Sequence, residues 1–306
     1  MKHITATDLY NYTKCKYRVY RDKNTPENQK DKVDYFLELL WQNGLKHEEE
    51  AVKYFQSREG KVFVEITADG KTEGSLKKGA RETLLHMKNG VNYIYQGVLL
   101  REGEDSLFEQ TPLLVGRPDI LMKVKGDSSF GNFSYVPVDI KAGKGREVTD
   151  WGERLNPSYA AQIEFYGLLL EDVLGKEPVE GYIFDVHQEF VKYPIPFKNG
   201  NFKPALAEIR KMTSGSTEGR EPVISSICGL CHWQSVCQAQ AKKHNDLTLL
   251  FYLGEKVKYG FYDIGIKNIN DLAQADINKL IAQVGHAKKA GLFYPSFGEE
   301  LLKSLV

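Results

Sequence analysis

Helical and extended periodicities alternate along this chain and predict an α/β fold, a sheet flanked by helices, followed by a small all-helical region. Three features carry the prediction. Valine- and isoleucine-rich runs with strand-like alternation recur between residues 61 and 195. Segments with apolar residues three and four apart separate them. Asp119 and Asp139 lie inside two of the extended runs, where a charge is costly without a partner.

Thr5 to Tyr20 is expected to be a short helix, opened by a threonine cap and Thr7-Asp8-Leu9, with Cys15 inside it. Residues 24–30 are polar and contain Pro26, so they form a loop. Lys32 to Phe55 places Val33, Phe36, Leu37, Leu40, Trp41, Leu45, Val52 and Phe55 at helical spacing, with Gly44 a candidate break. A strand at Lys61–Thr67, a turn at Ala68–Gly74 and a helix at Leu76–Met87 follow. Further strands are expected at Val91–Leu100, at Leu113–Lys125 with Asp119 inside it, and at Ser134–Lys141. Gly126-Asp127-Ser128-Ser129 turns the chain between the last two. Gly143–Asn156 is a charged loop. Pro157–Leu174 is a strong helix, with Ala160, Ala161, Ile163, Tyr166, Leu169 and Leu170 on its apolar side. Strands at Gly181–Phe190 and Val191–Ile195 and a helix at Lys203–Met212 complete the core. Thr213–Glu221 is Ser/Gly/Thr-rich and has the composition of a linker, and Leu247–Val306 reads as helical throughout. The expected domains are 1–246 and 247–306.

Of the 306 residues, 42% are hydrophobic and 27% charged, the balance of a soluble protein with a real core. Lys plus Arg and Asp plus Glu both number 41, which removes support for a diffusely basic nucleic-acid binder. Any DNA contact must come from a local patch. The N-terminal residues form no apolar signal region and no run is long enough to span a bilayer, so a cytoplasmic location is expected. In a reducing compartment, spaced cysteines bind metal more often than they form disulfides.

Gly116-Arg117-Pro118-Asp119 and Asp139-Ile140-Lys141 are the most informative segments. Two residues apart on a strand, Asp139 and Lys141 face the same side, and Asp119 on a neighbouring strand can meet them. Two carboxylates can hold a hard divalent cation, and a lysine can steady an attacking water or the charge growing on a phosphate. The same residues could also be a buried ion pair that only stabilises the sheet.

Pro118-Asp119 and Asp139-Ile140-Lys141 resemble the two halves of the PD-(D/E)XK nuclease motif, in the RecB-like branch of that superfamily. His47, within Gly44-Leu45-Lys46-His47-Glu48, falls where that branch carries a helical histidine. Gln162 and Tyr166, four apart on one helical face, match its helix after the lysine strand. The resemblance implies a restriction-endonuclease-like mixed sheet flanked by helices. It implies that Asp119, Asp139, the Ile140 carbonyl and His47 hold Mg²⁺ or Mn²⁺, and that Lys141 positions or deprotonates the water. Gln162 and Tyr166 would orient the lysine or the DNA backbone. Glu48, Glu49 and Glu50 read as a solvated helix face.

Cys228, Cys231 and Cys237 form C-x2-C-x5-C, and Cys15 lies far upstream. Four thiolates complete a zinc or an iron–sulfur site. Zinc sites more often pair two C-x2-C knuckles, so three clustered cysteines and one distant partner fit a cubane better; unligated cysteine remains a reading for Cys15 alone. The order resembles the iron–sulfur branch of RecB-like nucleases, which includes the CRISPR-adaptation exonuclease and the AddB subunit of recombination helicase–nucleases. That resemblance implies a structural 4Fe–4S cluster stapling the chain ends. It also implies DNA as substrate, most of all single-stranded DNA or DNA ends cut by an exonuclease in recombination, repair or CRISPR adaptation. Gly265-Ile266-Lys267-Asn268-Ile269 resembles a helix-hairpin-helix segment, which would grip phosphate, and Val284–Ala290 a second, degenerate one. The competing expectations are a non-catalytic DNA-binding module and a zinc-stapled structural subunit of a DNA-processing complex.

Overall fold

A computed structural model describes residues 3–68, 70–102, 112–150, 152–197, 202–215, 221–251 and 253–305. The chain packs as two compact units, Met1–Asn24 with Asp34–Thr217 and Thr25–Val33 with Glu218–Val306. Residues 216–220 of the expected linker lie outside the described residues. The expected boundary at 246 falls within the second unit. No helix among the described residues is long and apolar enough to cross a membrane.

The first unit runs β1 (His3–Thr5), α1 (Ala6–Lys14), α2 (Lys16–Asn24), α3 (Tyr35–Gln56), β2 (Phe63–Glu65), α4 (Glu73–Lys88), β3 (Tyr93–Tyr95), β4 (Leu99–Arg101) and β5 (Leu113–Gly116). It continues with β6 (Ile120–Ser128), β7 (Gly131–Ile140), β8 (Arg146–Thr149), β9 (Gly152–Leu155), α5 (Pro157–Leu174), β10 (Glu180–Phe184), β11 (Phe190–Pro194) and α6 (Phe202–Thr213). Six strands form a mixed sheet in the order β11-β10-β7-β6-β3-β2. Pairs β7–β10 and β2–β3 are parallel; β6–β7, β3–β6 and β10–β11 are antiparallel. The restriction-endonuclease-like expectation of a mixed sheet between helices agrees with this architecture. A three-stranded sheet, β1-β5-β4, lies beside it.

Alternation along the strands sorts side chains onto two faces. Ile120, Val138, Ile140 and Phe184 pack with Ala51 and Phe55 of α3. Ile94, Leu121, Tyr135 and Ile183 join the larger core with α4 and α5. The last seven residues of β7 are buried, as expected of a central strand covered on both faces. Helix α5 is buried along most of its length. Asn156 caps its first turn, Pro157 fits the first helical position, and Gly175 ends it at φ 75°.

Several sequence expectations are corrected. The first predicted helix is two helices broken at Cys15, whose extended backbone (φ −157°, ψ 110°) ends α1. Thr5 does cap α1, in a reciprocal capping box with Asp8. The run 113–125 is two strands in different sheets, because Pro118 has no N–H for a ladder and restricts Arg117. Asp119 therefore sits just before β6 rather than inside a strand. The run 91–100 likewise divides into β3 and β4, and the run 181–190 ends at Phe184 before a turn. The charged loop 143–156 contains the β8–β9 hairpin, paired Arg146↔Leu155 to Thr149↔Gly152. Helix α3 continues through Gly44, and only His47, Ala51 and Phe55 of it are buried. Phe36, Leu40, Trp41 and Leu45 repeat at core-like spacing yet are exposed.

The second unit holds α7 (Gln234–Lys243), α8 (Glu255–Asp263), α9 (Ile269–Ala273), α10 (Ile277–Lys289) and α11 (Glu299–Leu305). Its apolar core gathers Leu247, Val257, Phe261, Leu272, Leu280, Phe293 and Phe297. A fully buried lysine, Lys258, pairs with buried Asp246 and with Glu221, 3.1 Å away, and donates to the Pro222 carbonyl at 3.2 Å. Removing one partner of such a pair costs about 3–5 kcal/mol, so this contact ties residues 221–222 to the helices. Val284–Lys289 lies inside α10, so the second predicted hairpin is one continuous helix, with Gly285 on its exposed side. At the first predicted hairpin, the Gly265, Ile266, Lys267 and Ile269 amides donate to Tyr262 O, Phe261 O, Asp271 and Asn245 O.

Gly116 ends β5 where α5 crosses it. A methyl group there would lie 2.5 Å from Leu169 Cδ1 and 3.2 Å from Tyr166 Cδ1. Gly116→Ala is expected to cost about 1–3 kcal/mol through overpacking. Chemical denaturation of the purified variant checks this; unaltered stability contradicts the close approach.

Candidate active site

The sheet register aligns Tyr95 with Ile120 and Ile120 with Val138. One further step along each strand brings Gln96, Asp119 and Asp139 into one row at the end of the sheet. Asp139 is paired with Ile183 on its other side. Strand parity turns Asp119 and Asp139 toward α5, as it does Leu121 and Ile183.

The contacts bear out that placement. Asp119 Oδ2 accepts from the Ile140 N–H at 2.6 Å, so the first acid is bonded to the backbone between the second acid and the lysine. Lys141 forms an ion pair with Asp139 Oδ2. Its own N–H donates to Phe184 O at 2.9 Å, which holds the chain end of β7 against β10. Tyr166 of α5 donates from its hydroxyl to Asp139 Oδ1 at 3.4 Å and to Arg117 O at 3.3 Å. Asp119, Asp139, Ile140, Lys141 and Tyr166 are thus brought together.

His47 and Gln162 are placed differently. Both are buried, His47 one turn before Ala51 on α3 and Gln162 one turn before Tyr166 on α5. His47 Nε2 and Gln162 Oε1 are enclosed without a hydrogen-bond partner, and neither side chain bonds to the carboxylates. A buried polar atom without a partner is unusual in a folded protein and marks a position that a bound group can satisfy.

Two participants were missed. Glu48 belongs to the helix face expected to be solvated, but it is half-buried and accepts from the Tyr95 hydroxyl at 2.8 Å and from Gln96 Nε2 at 3.3 Å. Gln96 also donates from Nε2 to Asp119 Oδ1, at 3.1 Å, and from its N–H to Asp119 O, at 2.9 Å. The cue for Gln96 was its place directly before Gly97 at the end of a strand; Glu48 carried none beyond its neighbour His47.

Burial pushes the Asp119 carboxyl well above its ordinary pKa, and the Asp139 charge pushes it further, while Lys141 opposes both. Burial disfavours the Lys141 ammonium, but Asp139 and Asp119 outweigh it and raise its pKa, so the lysine stays protonated. Burial and then Asp139 raise the Tyr166 phenol, which remains a hydrogen-bond donor. Two crowded carboxylates, one of them disfavoured as an anion by burial and by its neighbour's charge, are hard oxygen donors suited to a divalent cation, and a partnerless imidazole nitrogen lies on the helix that carries Glu48. Among the described residues no three His, Cys, Asp or Glu side chains already converge as a formed cation site.

Three of the cysteines share one segment of the second unit. Cys228 lies in a 3-10 turn (Ser226–Leu230), Cys231 ends it, donating its N–H to Cys228 O at 3.0 Å, and Cys237 lies on α7. Cys15 belongs to the first unit. All four are half-buried and none forms a disulfide.

No curated protein matches the chain. Among solved structures, that titled "Crystal structure of SSO0001" is similar at 14% identity with a TM-score of 0.36, over 78% of this chain and 87% of that one. The family model of the PD-(D/E)XK nuclease superfamily matches residues 3–238, which span both acids, the lysine and α5. The chain belongs to the PD-(D/E)XK nuclease superfamily, whose members are metal-dependent nucleases that hydrolyse nucleic acid.

Proposed function

We propose that this chain is a Mg²⁺- or Mn²⁺-dependent exonuclease acting on single-stranded DNA or DNA ends, with Asp119, Asp139 and Lys141 as its centre. The observation that carries the reading is the junction of Asp119 with the Asp139–Lys141 strand through the Ile140 N–H. A sheet-stabilising ion pair needs one acid beside Lys141; a second, destabilised acid bonded into the same strand fits cation binding better.

Asp119, Asp139 and the Ile140 carbonyl would hold the cation, with His47 as a further ligand. When bound, such an ion lowers the pKa of its water and polarises the phosphate. Lys141 positions the attacking water or takes its proton, and its charge can stabilise that growing on the phosphate. Tyr166 fixes Asp139, and Gln162 supplies an acceptor for water or Lys141. Single-strand specificity, exonuclease action and a place in recombination, repair or CRISPR adaptation rest on the resemblance to RecB-like nucleases.

Cys15, Cys228, Cys231 and Cys237 would hold a structural 4Fe–4S cluster. Thiolates are its usual ligands, and the trio lies on one short turn-and-helix segment. In the helical tail, any contact with phosphate falls to exposed lysines such as Lys267 and Lys289, because the hairpin amides already have acceptors.

End-labelled single- and double-stranded DNA incubated with Mn²⁺ is expected to be shortened from its ends by the wild type. Asp139→Ala should lose at least about a thousandfold in rate while staying folded. Equal cleavage by the variant contradicts the assignment. Anaerobically purified protein should be brown, with broad visible absorbance and about four iron atoms per chain; colourless, folded, zinc-loaded protein removes the cluster.

A further inference from the structure

We propose that Gln96 is a positioning residue of the cation site, holding the Asp119 and Glu48 carboxylates side by side. The inference rests on the nuclease reading above and extends it to residues outside the motif.

The backbone is the first observation. Gln96 has φ 53°, in the left-handed region that residues other than glycine seldom occupy. Such a conformation persists where the surroundings over-determine it, and it concentrates at functional sites. Here the cause is visible on both sides. Tyr95 still belongs to β3, paired with Ile120, and its carbonyl accepts from the Ile66 N–H at 3.0 Å. Gly97 follows with no room for a side chain, since a methyl group would lie 2.8 Å from Leu121. The chain must leave the sheet within one residue, and Gln96 makes that turn.

The side chain is the second observation. A carboxamide NH₂ offers two donors at a fixed angle. Gln96 spends them on two acids from different elements, Asp119 Oδ1 at 3.1 Å and Glu48 Oε1 at 3.3 Å. Its own N–H fixes the Asp119 backbone at 2.9 Å. The Tyr95 hydroxyl holds the same Glu48 oxygen at 2.8 Å. Asp119 is therefore held at Oδ1 by Gln96 and at Oδ2 by Ile140 N–H, which leaves its carboxylate one orientation. Two like charges brought together need a donor between them, and a neutral amide supplies it without competing for the cation as an ammonium would. Partners of this kind, one bond removed from a metal ligand, set its orientation and basicity.

Gln96→Gly and Gln96→Asn test this. Glycine adopts the left-handed turn without strain, and asparagine tolerates it but is one methylene too short to span both acids. Metal-free protein is titrated with Mn²⁺ by calorimetry, thermal melting is recorded without metal, and cleavage of labelled single-stranded DNA is measured against Mn²⁺ concentration. Both variants are expected to melt within about 3 °C of the wild type. Both should bind Mn²⁺ about tenfold more weakly, with the half-saturating Mn²⁺ for cleavage raised by the same factor. Cleavage at saturating Mn²⁺ should fall much less. Wild-type Mn²⁺ affinity in both variants overturns the inference, with or without a change in melting, and leaves the nuclease reading intact if the wild type cleaves and Asp139→Ala does not. A wild type that neither binds Mn²⁺ nor cleaves overturns the nuclease reading itself, and this inference with it.

Discussion

Asp119 and Asp139 share one row at the end of a sheet, where burial and the Asp139 charge disfavour the Asp119 carboxylate. Bringing two carboxylates to a largely dehydrated position is expensive, and the surrounding structure answers that cost. Lys141 pairs with Asp139, the Ile140 N–H and Gln96 bond Asp119, and Tyr166 reaches in from α5. Lys141 and Ile140 are neighbours at the end of β7, while Gln96 and Tyr166 come from other parts of the chain. The sheet order, the position of α5 and the early end of β3 together bring those donors to the two acids.

That dependence extends to residues that carry no chemistry. Gly116 lets α5 approach β5 closely enough for the Tyr166 hydroxyl to reach Arg117 O and Asp139. Pro118 breaks the extended run so that Asp119 sits just before β6 of the larger sheet. The parallel pairing of β7 with β10 buries Asp139 and fixes the Lys141 backbone through Phe184. In the proposed site the two acids are held at one end of a sheet by contacts distributed over four strands and two helices.

Much of this was legible in the sequence. The alternation in 134–141 located the central strand, and the apolar repeat in 157–174 located α5 to the residue. Asp119, Asp139 and Lys141 stood out because charges rarely interrupt such runs. What escaped was set by tertiary contacts. Glu48 looks like any acid in an acidic helical stretch until Tyr95 and Gln96 bond it. The local cue to Gln96 is confined to its place before Gly97 at the end of a strand; its left-handed turn comes from the strand before it and the crowding behind Gly97. The first half of α3 misled in the other direction: its apolar residues repeat at core spacing but remain exposed. Cys15 read as helical because a single extended residue between two helices leaves no periodic trace.

On the proposed function, Asp139 and Lys141 are retained for chemistry rather than for stability. A neutral pair of similar volume, Asp139→Asn with Lys141→Met, separates the two most directly, because replacing both members of a buried pair removes the charge without leaving one stranded. Thermal melting and Mn²⁺-dependent DNA cleavage are measured on the same preparation. The double variant is expected to melt at or above the wild-type temperature with cleavage abolished. A lower melting temperature with cleavage retained would show instead that the pair serves the fold.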